Sequence, residues 1–507
     1  MSDFSSDLRF RGLIHQVTDN ALIDRLDRDS LSVYAGFDPT ADSLHVGNLM
    51  QLCTLRRFQL AGHRPIIVVG GATGKIGDPG GKSGERALLD METLRHNIDG
   101  IRPQLARFLE FEQDLYPGNE IDQKANQVSN HQGVSHGDSQ REYRRVSHDA
   151  SNSDSHDASH DASNSDRDNH QLVCATQEGA GHHSGDKEIL SSNSLGGSLL
   201  LDNSQWLDSV SLIDFLRDIG KHFSVNQMVA KESVKARLER IDQGISFTEF
   251  SYMLLQAYDF WHLHSKFGCD LQIGGSDQWG NITMGVELIR KISREPAYGL
   301  TTPLVTKDDG TKFGKTESGT VWLDSDRTSP YQLYQFFYNT EDSVVGRYLR
   351  YFSFLPAHRI LELDQDLLVK PEARSSQREL AREVVRLVHG EGELQRVERA
   401  AQALFGEEIG ELDESMLLDV VKDAPFSLLS RDEIISPEGI ALPDVLISAQ
   451  IAKSRGEARR AIEQGGIYVN NKREVNSSRV LRVSDLLHGR YIVLRKGKRD
   501  YHLVRAE

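Results

Sequence analysis

Several clusters of polar residues stand where strands and helices of this chain should meet, and each is suited to a charged ligand. In "YAGFDPTADSLHVGN", residues 34–48, an apolar run ends in Gly-Phe-Asp-Pro-Thr and a helical pattern starts within a few residues. A helix start at a strand end presents unpaired backbone N–H groups and the positive end of the helix dipole, which together attract an anion. Thr40 and His45 add donors there, and Asn48 lies one helical turn beyond His45. Asp42 or Ser43 supplies an N-cap, so capping alone leaves Thr40, His45 and Asn48 over. Next comes the glycine-rich "VVGGATGKIGDPGGKSGER". Glycines let a backbone approach a ligand closely. Two near matches to the phosphate-binding P-loop, at Gly74-Lys75 and Gly81-Lys82, fail because Val69 and Ile76 stand where that motif needs glycine. Lys82 and Arg86, four apart, make either a mobile phosphate clamp or a solvated basic turn.

Further on, "ISFTEFSYMLLQAYDFWHLHSKFG" reads as a long apolar helix carrying Tyr252, Gln256 and Asp259. Spacings of four and three put these on one face. Such a stripe, when buried, must meet polar partners. Those partners are either an internal hydrogen-bond network or a small polar ligand. The strand pattern "CDLQIGG" ends at Gly274 and Gly275, at the carboxyl edge where open α/β sheets bind ligands. Asp277, just beyond, is placed to accept from ribose hydroxyls. Last, "TKDDGTKFGKTESGT" is polar and glycine-rich, with Lys307, Lys312 and Lys315. It is either a solvated charged loop or a closing phosphate lid.

What must position these residues is an α/β sheet. "LSVYAGF" and "RPIIVVGG" are short apolar runs, each followed by an amphipathic segment, the rhythm of a parallel sheet. The 507 residues suffice for several domains. The catalytic-type α/β domain is expected over 1–116 and 205–327, with a Rossmann-like parallel sheet. Residues 117–204 break the pattern: "SHDASNSD" occurs twice, large apolar residues are few, and the segment carries a net charge of −8. It cannot bury enough surface to offset its ordering entropy, so it is expected to be a disordered insertion. It holds eight of the 19 histidines, but their smeared spacing argues against a metal centre. Residues 328–435 read as a charged, strandless helical domain, and 436–507 as a small α+β module.

The whole chain carries a net charge of −16, yet residues 441–507 carry +7. A basic end on an acidic body points to a polyanionic partner at that end. The three cysteines, Cys53, Cys174 and Cys269, form no CxxC pair, which fits a reducing compartment. The N-terminus lacks an apolar leader and no run is long enough to span a bilayer, so a cytoplasmic protein without membrane contact is expected.

The order of these motifs is more specific than any one of them. "HVGN" resembles the HIGH signature of class I aminoacyl-tRNA synthetases, and "KFGKT" resembles their KMSKS signature. "YAGFDPTADSLH", "GGATGKIGDP", "GKHFSVN", "GISFTEFSYMLLQAYDF" and "IGGSDQWGN" look like the bacterial tyrosyl-tRNA synthetase family, nearly residue for residue. "DVLISAQIAKSRGEARRAIEQGGIYVNN" resembles an S4 RNA-binding module. The likeness skips the insertion.

By that resemblance, the chain would activate L-tyrosine with ATP, Mg²⁺ accompanying the nucleotide, and then charge tRNA(Tyr), as a homodimer. Thr40 and His45 would hold the triphosphate, with Lys82, Arg86, Lys312 and Lys315 as cations around the leaving pyrophosphate. Gly36, Asp38, Asn48, Gly275 and Asp277 would face the nucleotide, Asn48 in place of the signature's last histidine. Tyr34 and Asp259 would bind the phenolic hydroxyl. Asp78, Tyr252 and Gln256 would hold the α-ammonium, with Gln278 nearby. No metal-ligand set is expected. Two rival readings are a class I ligase for tryptophan and an inactive RNA-binding paralogue. Tyr34 with Asp259 argues against the first, and the retained lysines against the second.

Overall fold

The apolar runs of the sequence become neighbouring strands of one sheet. The structure is a computed structural model, and it describes residues 3–78, 89–112, 197–231, 234–235, 238, 244–311, 313–316, 319–403, 408–422, 424–497 and 500–507. The disorder expected of the insertion therefore falls outside the described residues over nearly all of 117–204, as do Lys82, Arg86 and Lys312 and the side chain of Lys315.

Six strands make the main sheet: β1 (Gln16–Val17), β2 (Ser32–Phe37), β3 (Arg64–Val69), β4 (Leu199–Asp202), β5 (Cys269–Gly275) and β6 (Tyr298–Thr302), in the order β1-β6-β5-β2-β3-β4. All neighbours are parallel except β1 with β6. The chain builds outward from β2 through β3 to β4, then crosses back to add β5 and β6 on the other side. The order thus reverses between β2 and β5, the place where doubly wound sheets open a crevice at the strands' carboxyl ends. Strand β4 corrects the boundary drawn at residue 204: "LLLD" is an edge strand of the sheet. The segment leaves and re-enters at adjacent points, where Glu112 donates its N–H to Ser198 O (3.0 Å) and Ser198 donates to Glu110 O (2.7 Å).

Helix Val46–Leu60 follows β2, and helix Phe247–Phe267 packs on helix Trp279–Ile292 behind β5. The long helix starts with a capping box: Ser246 Oγ accepts from Glu249 N–H and the Glu249 carboxylate accepts from Ser246 N–H. A short hairpin, β7 (Lys315–Thr316) with β8 (Gly319–Thr320), precedes the helical part, which includes Pro330–Tyr338, Asp342–Phe352, Ser375–His389 and Glu391–Ala403.

Two buried arginines tie helix Asp342–Phe352 to the sheet layer. Arg57 donates to Tyr351 O (3.1 Å), and Arg11 donates to Ser353 O (3.0 Å) and Leu355 O (2.8 Å). The Tyr351 and Ser353 carbonyls close this helix, where the last carbonyls lack an intrahelical donor, so charged donors suit them. Burial pulls the Arg57 pKa down to about 10, and its guanidinium stays charged.

The C-terminal module holds β9 (Phe426–Leu429), β10 (Ile440–Ala441), β11 (Ile467–Val469), β12 (Lys472–Glu474), β13 (Val480–Leu481), β14 (Tyr491–Lys496) and β15 (Asp500–Ala506). Five of them form a sheet in the order β12-β11-β14-β15-β9. Strand β9 lies ahead of residue 436 and pairs in parallel with β15, so the stretch read as strandless up to 435 gives its last strand to this module. Among the described residues, no helix is long and apolar enough to cross a membrane.

Candidate active site

A cavity of about 360 Å³ opens at the carboxyl ends of β2, β3 and β5. Its lining gathers Tyr34, Gly36, Asp38, His45, Asn48, Asp78, Tyr252, Gln256, Asp259, Gly275, Asp277 and Gln278, residues drawn from segments far apart in sequence. Among the expected site residues whose side chains are described, Thr40 is the exception. It is exposed on the turn after β2, outside the lining, with its N–H donated to Asp38 O (2.9 Å).

At one end stands the start of helix Val46–Leu60. His45 is itself the N-cap: its Nδ1 accepts from Gly47 N–H (3.0 Å), and Asn48 Oδ1 accepts from His45 N–H (3.1 Å). The expectation that Asp42 or Ser43 would cap is therefore corrected. Asp42 pairs with Arg327 (2.8 Å), and the Ser43 hydroxyl donates to Leu44 O (2.8 Å). Capping through Nδ1 puts the neutral ring's proton on Nε2. Glycine at position 47 leaves this imidazole its place, since a Cβ there would lie 2.7 Å from the His45 ring and force the ring to shift.

At the other end, Asp259 is buried in the long helix. Its carboxylate accepts from Trp206 Nε1 (2.7 Å) and Asn203 Nδ2 (2.9 Å). Burial raises its pKa to about 7 in spite of these bonds. Asn203 also donates to Thr73 Oγ1 (2.9 Å) and accepts from Ala72 N–H (2.8 Å), fixing the loop after β3 to the same carboxylate. Burial, reinforced by Asp259 and Asp38, pushes the Tyr34 phenol well above its usual range; burial and Asp38 do the same to Tyr252. Both remain neutral hydroxyls. Tyr252 donates to the Asp38 carboxylate (3.3 Å to each oxygen), so Asp38 is tied to the long helix.

Between the ends runs a chain of amides. Gln278 Nε2 donates to Asp78 (2.6 Å), Gln256 Nε2 donates to Gln278 Oε1 (3.2 Å), and Asn281 Nδ2 donates to Gln256 Oε1 (2.9 Å). Gln272, nearly fully buried on β5, also faces this cavity, and its Oε1 has no hydrogen-bond partner among the described residues. Sequence reasoning missed Asn203, Trp206, Thr73, Gln272 and Asn281. Gln272 alone carried a signal, as a polar residue inside an apolar strand. Four carboxylates, of Asp38, Asp78, Asp259 and Asp277, line the cavity, and among the described lining residues His45 is the one basic side chain. Such a site takes a small molecule with a cationic group, beside a helix start suited to an anion.

A family model described as tRNA synthetases class I (W and Y) matches residues 26–406. A second, described as the Tyrosine--tRNA ligase SYY-like C-terminal domain, matches residues 425–504. The tyrosine--tRNA ligase of Roseiflexus castenholzii is 46% identical over 505 residues, covering 100% of both chains. The chain belongs to the tyrosine--tRNA ligases of class I. The enzyme of this family from Bacillus caldotenax is 43% identical over 505 residues, with 99% of each chain covered. Among solved structures, the C-terminally truncated mitochondrial tyrosyl-tRNA synthetase of Aspergillus nidulans superposes with a TM-score of 0.58 at 30% identity. That match covers 80% of this chain and 95% of the other. The second family match begins at residue 425, just ahead of β9, which agrees with the pairing of that strand.

Proposed function

We propose that the chain joins L-tyrosine to ATP, forming tyrosyl-adenylate and pyrophosphate, and then transfers tyrosine to the 3′ end of tRNA(Tyr). The observation that carries this reading is the Asp259 end of the cavity, where a buried carboxyl group and the neutral Tyr34 phenol offer an acceptor and a donor to a phenolic hydroxyl. Asp78, Tyr252 and Gln256, with Gln278 bracing Asp78, supply acceptors for the α-ammonium. The substrate carboxylate is already a nucleophile, so no base is needed. What the reaction needs is alignment on the α-phosphorus and donors for the charge that spreads onto pyrophosphate. His45 and the helix start supply donors, with Gly36, Asp38, Asn48, Gly275 and Asp277 around the nucleoside and Thr40 at the mouth. Lys82, Arg86, Lys312 and Lys315 complete the set on the strength of the family motifs. Mg²⁺ belongs to the nucleotide substrate.

A phenol-reading site also rejects phenylalanine, because its buried groups would be left unpaired; this enzyme class is itself a standard worked case of that discrimination. Pyrophosphate exchange tests the reading. Exchange dependent on tyrosine, and not on tryptophan, is expected; exchange with tryptophan alone would overturn it.

The basic C-terminal module is proposed to hold tRNA through phosphate contacts, and the reaction to take place in the cytoplasm. Two copies are proposed to pair through the surface that carries Leu212, Ile213, Val225 and Phe247. Phe247 is 76% exposed and the other three are 62–70% exposed, although their segments pack inward on one satellite core. Sedimentation of Phe247→Glu is expected to show monomers where the parent shows dimers.

A further inference from the structure

The segment that carries the signature lysines is pinned to the helical part at two points. The first is Thr306, whose carbonyl accepts from Tyr348 Oη (2.8 Å) and from Arg347 (3.0 Å), both on helix Asp342–Phe352. The second is Phe313, which sits between Lys312 and Lys315 in the chain and is buried in a cage of rings. Its centroid lies 4.8 Å from Tyr348, 5.3 Å from Phe336 and 5.5 Å from Phe352. Between the pins, Lys307 N–H donates to Thr311 O and Gly310 N–H to Lys307 O.

Immediately after Phe313 the chain meets the nucleotide end of the cavity. Gly314 has φ +82°, and a Cβ there would lie 2.6 Å from Val46 Cγ2, so only glycine fits. Val321 N–H donates to Gly314 O (3.0 Å), and Val46 N–H donates to Val321 O (3.0 Å). The two signature segments are thus stitched through Val321. Helix Asp342–Phe352 is in turn held by Arg57, from the far end of the helix that His45 caps. The circuit closes: one helix of the helical part contacts the lysine segment at Thr306 and Phe313 and the nucleotide helix at its last turn.

We propose that Tyr348 and Phe313 are positioning residues for adenylate formation. Through them, helix Asp342–Phe352 sets the register of the lysine segment against the start of helix Val46–Leu60. Neither side chain belongs to the cavity lining. The proposal rests on the functional reading above, so its test has a readout independent of activity.

In the full-length chain, Tyr348→Phe removes one donor to Thr306 and keeps the ring. Adding Arg347→Ala removes both, while Phe313→Ala empties the cage and Phe313→Leu refills most of it. Amide hydrogen exchange at Lys307, Gly310 and Phe313 should quicken about tenfold or more in the double variant and in Phe313→Ala, with helix Val46–Leu60 unchanged. Unaltered exchange would overturn the pins themselves, whether or not the chain activates tyrosine. In pyrophosphate exchange, kcat should fall roughly tenfold for the double variant and ~10² for Phe313→Ala, with KM for tyrosine within twofold and Phe313→Leu largely restored. An unchanged kcat in a folded variant whose amides exchange faster would overturn the positioning role. So would a raised KM for tyrosine at constant kcat. A parent chain inactive with tyrosine would overturn the functional reading instead, leaving the pins to be judged by exchange alone.

Discussion

Asp259 has a charge that water does not reach, and this makes it sensitive to pH. Its pKa is raised by burial to about 7 from an ordinary value of 3.8. Between those values the folded chain keeps a proton that the unfolded chain has released. The contribution to stability is therefore fully present below about pH 4 and is lost as pH rises through about 7. A phenol donating to this group needs the carboxylate. Tyrosine binding should then strengthen between pH 6 and 8 and release protons, which calorimetry in buffers of different ionisation heat would measure. Asp259→Asn should weaken tyrosine binding by ~10–100-fold, as expected for a lost hydrogen bond to a charged group, and flatten the pH dependence. A parent affinity that is flat across this range would take Asp259 away from the phenol.

Asp259 was legible in the sequence because Tyr252, Gln256 and Asp259 repeat at helical spacing. Its donors were not. Asn203 and Trp206 stand 56 and 53 residues before it, just past a stretch whose composition hides them. His45 was read as surplus to the cap because histidine is a rare cap, although the His45–Asn48 spacing is that of a capping box.

At the scale of elements, strand β4 shows how composition misleads. "SLLLD" is a strand signal, but the serines and glycines before it placed it inside the insertion. The parallel strands β2, β3 and β5 and the long helix were legible because apolar runs and 3.6-residue periodicity are local signals. The order of strands was not, since it depends on which edges pair. The adjacent exits at Glu112 and Gly197 make a direct prediction. Replacing residues 113–196 by about eight Gly/Ser residues should keep tyrosine activation within a few-fold. A loop roughly tenfold shorter is cheaper to close by about 2 kcal/mol, so the melting temperature should rise. A severe loss of exchange activity in a folded deletion would show that the segment serves the reaction. Tight stoichiometric Zn²⁺ binding by the parent would instead restore a metal role to its histidines.

Across the whole molecule, the basic module is docked rather than tethered. Tyr491 Oη donates to Glu414 (3.0 Å), Asn471 Nδ2 donates to Ala403 O (3.0 Å), and Tyr491 and Val493 join the large core that runs back to the sheet. A cut at 435 would leave β9 without β15, so the clean truncation ends near residue 424. That variant should keep tyrosine-dependent exchange and lose most transfer to tRNA. Full-length tRNA binding should weaken steeply with salt, since phosphate contacts release counterions. The exposed apolar patch left on the helical part means that folding must be confirmed by calorimetry first. A folded truncation that charges tRNA as well as the parent would show that the +7 charge of residues 441–507 serves something else.

The adjacent exits at Glu112 and Gly197 also make the protein divisible. A break anywhere between them yields one fragment with β1–β3 and His45 and a second with β4–β6, Tyr252, Asp259 and the basic C-terminal module. Neither fragment owns a complete cavity, because Asn203 of the second must reach Thr73 of the first. Co-expressed halves should therefore complement, and the charging of tRNA would count reunited pairs. Fused to two other proteins, the halves would report an encounter between those proteins as growth of the cell that carries them.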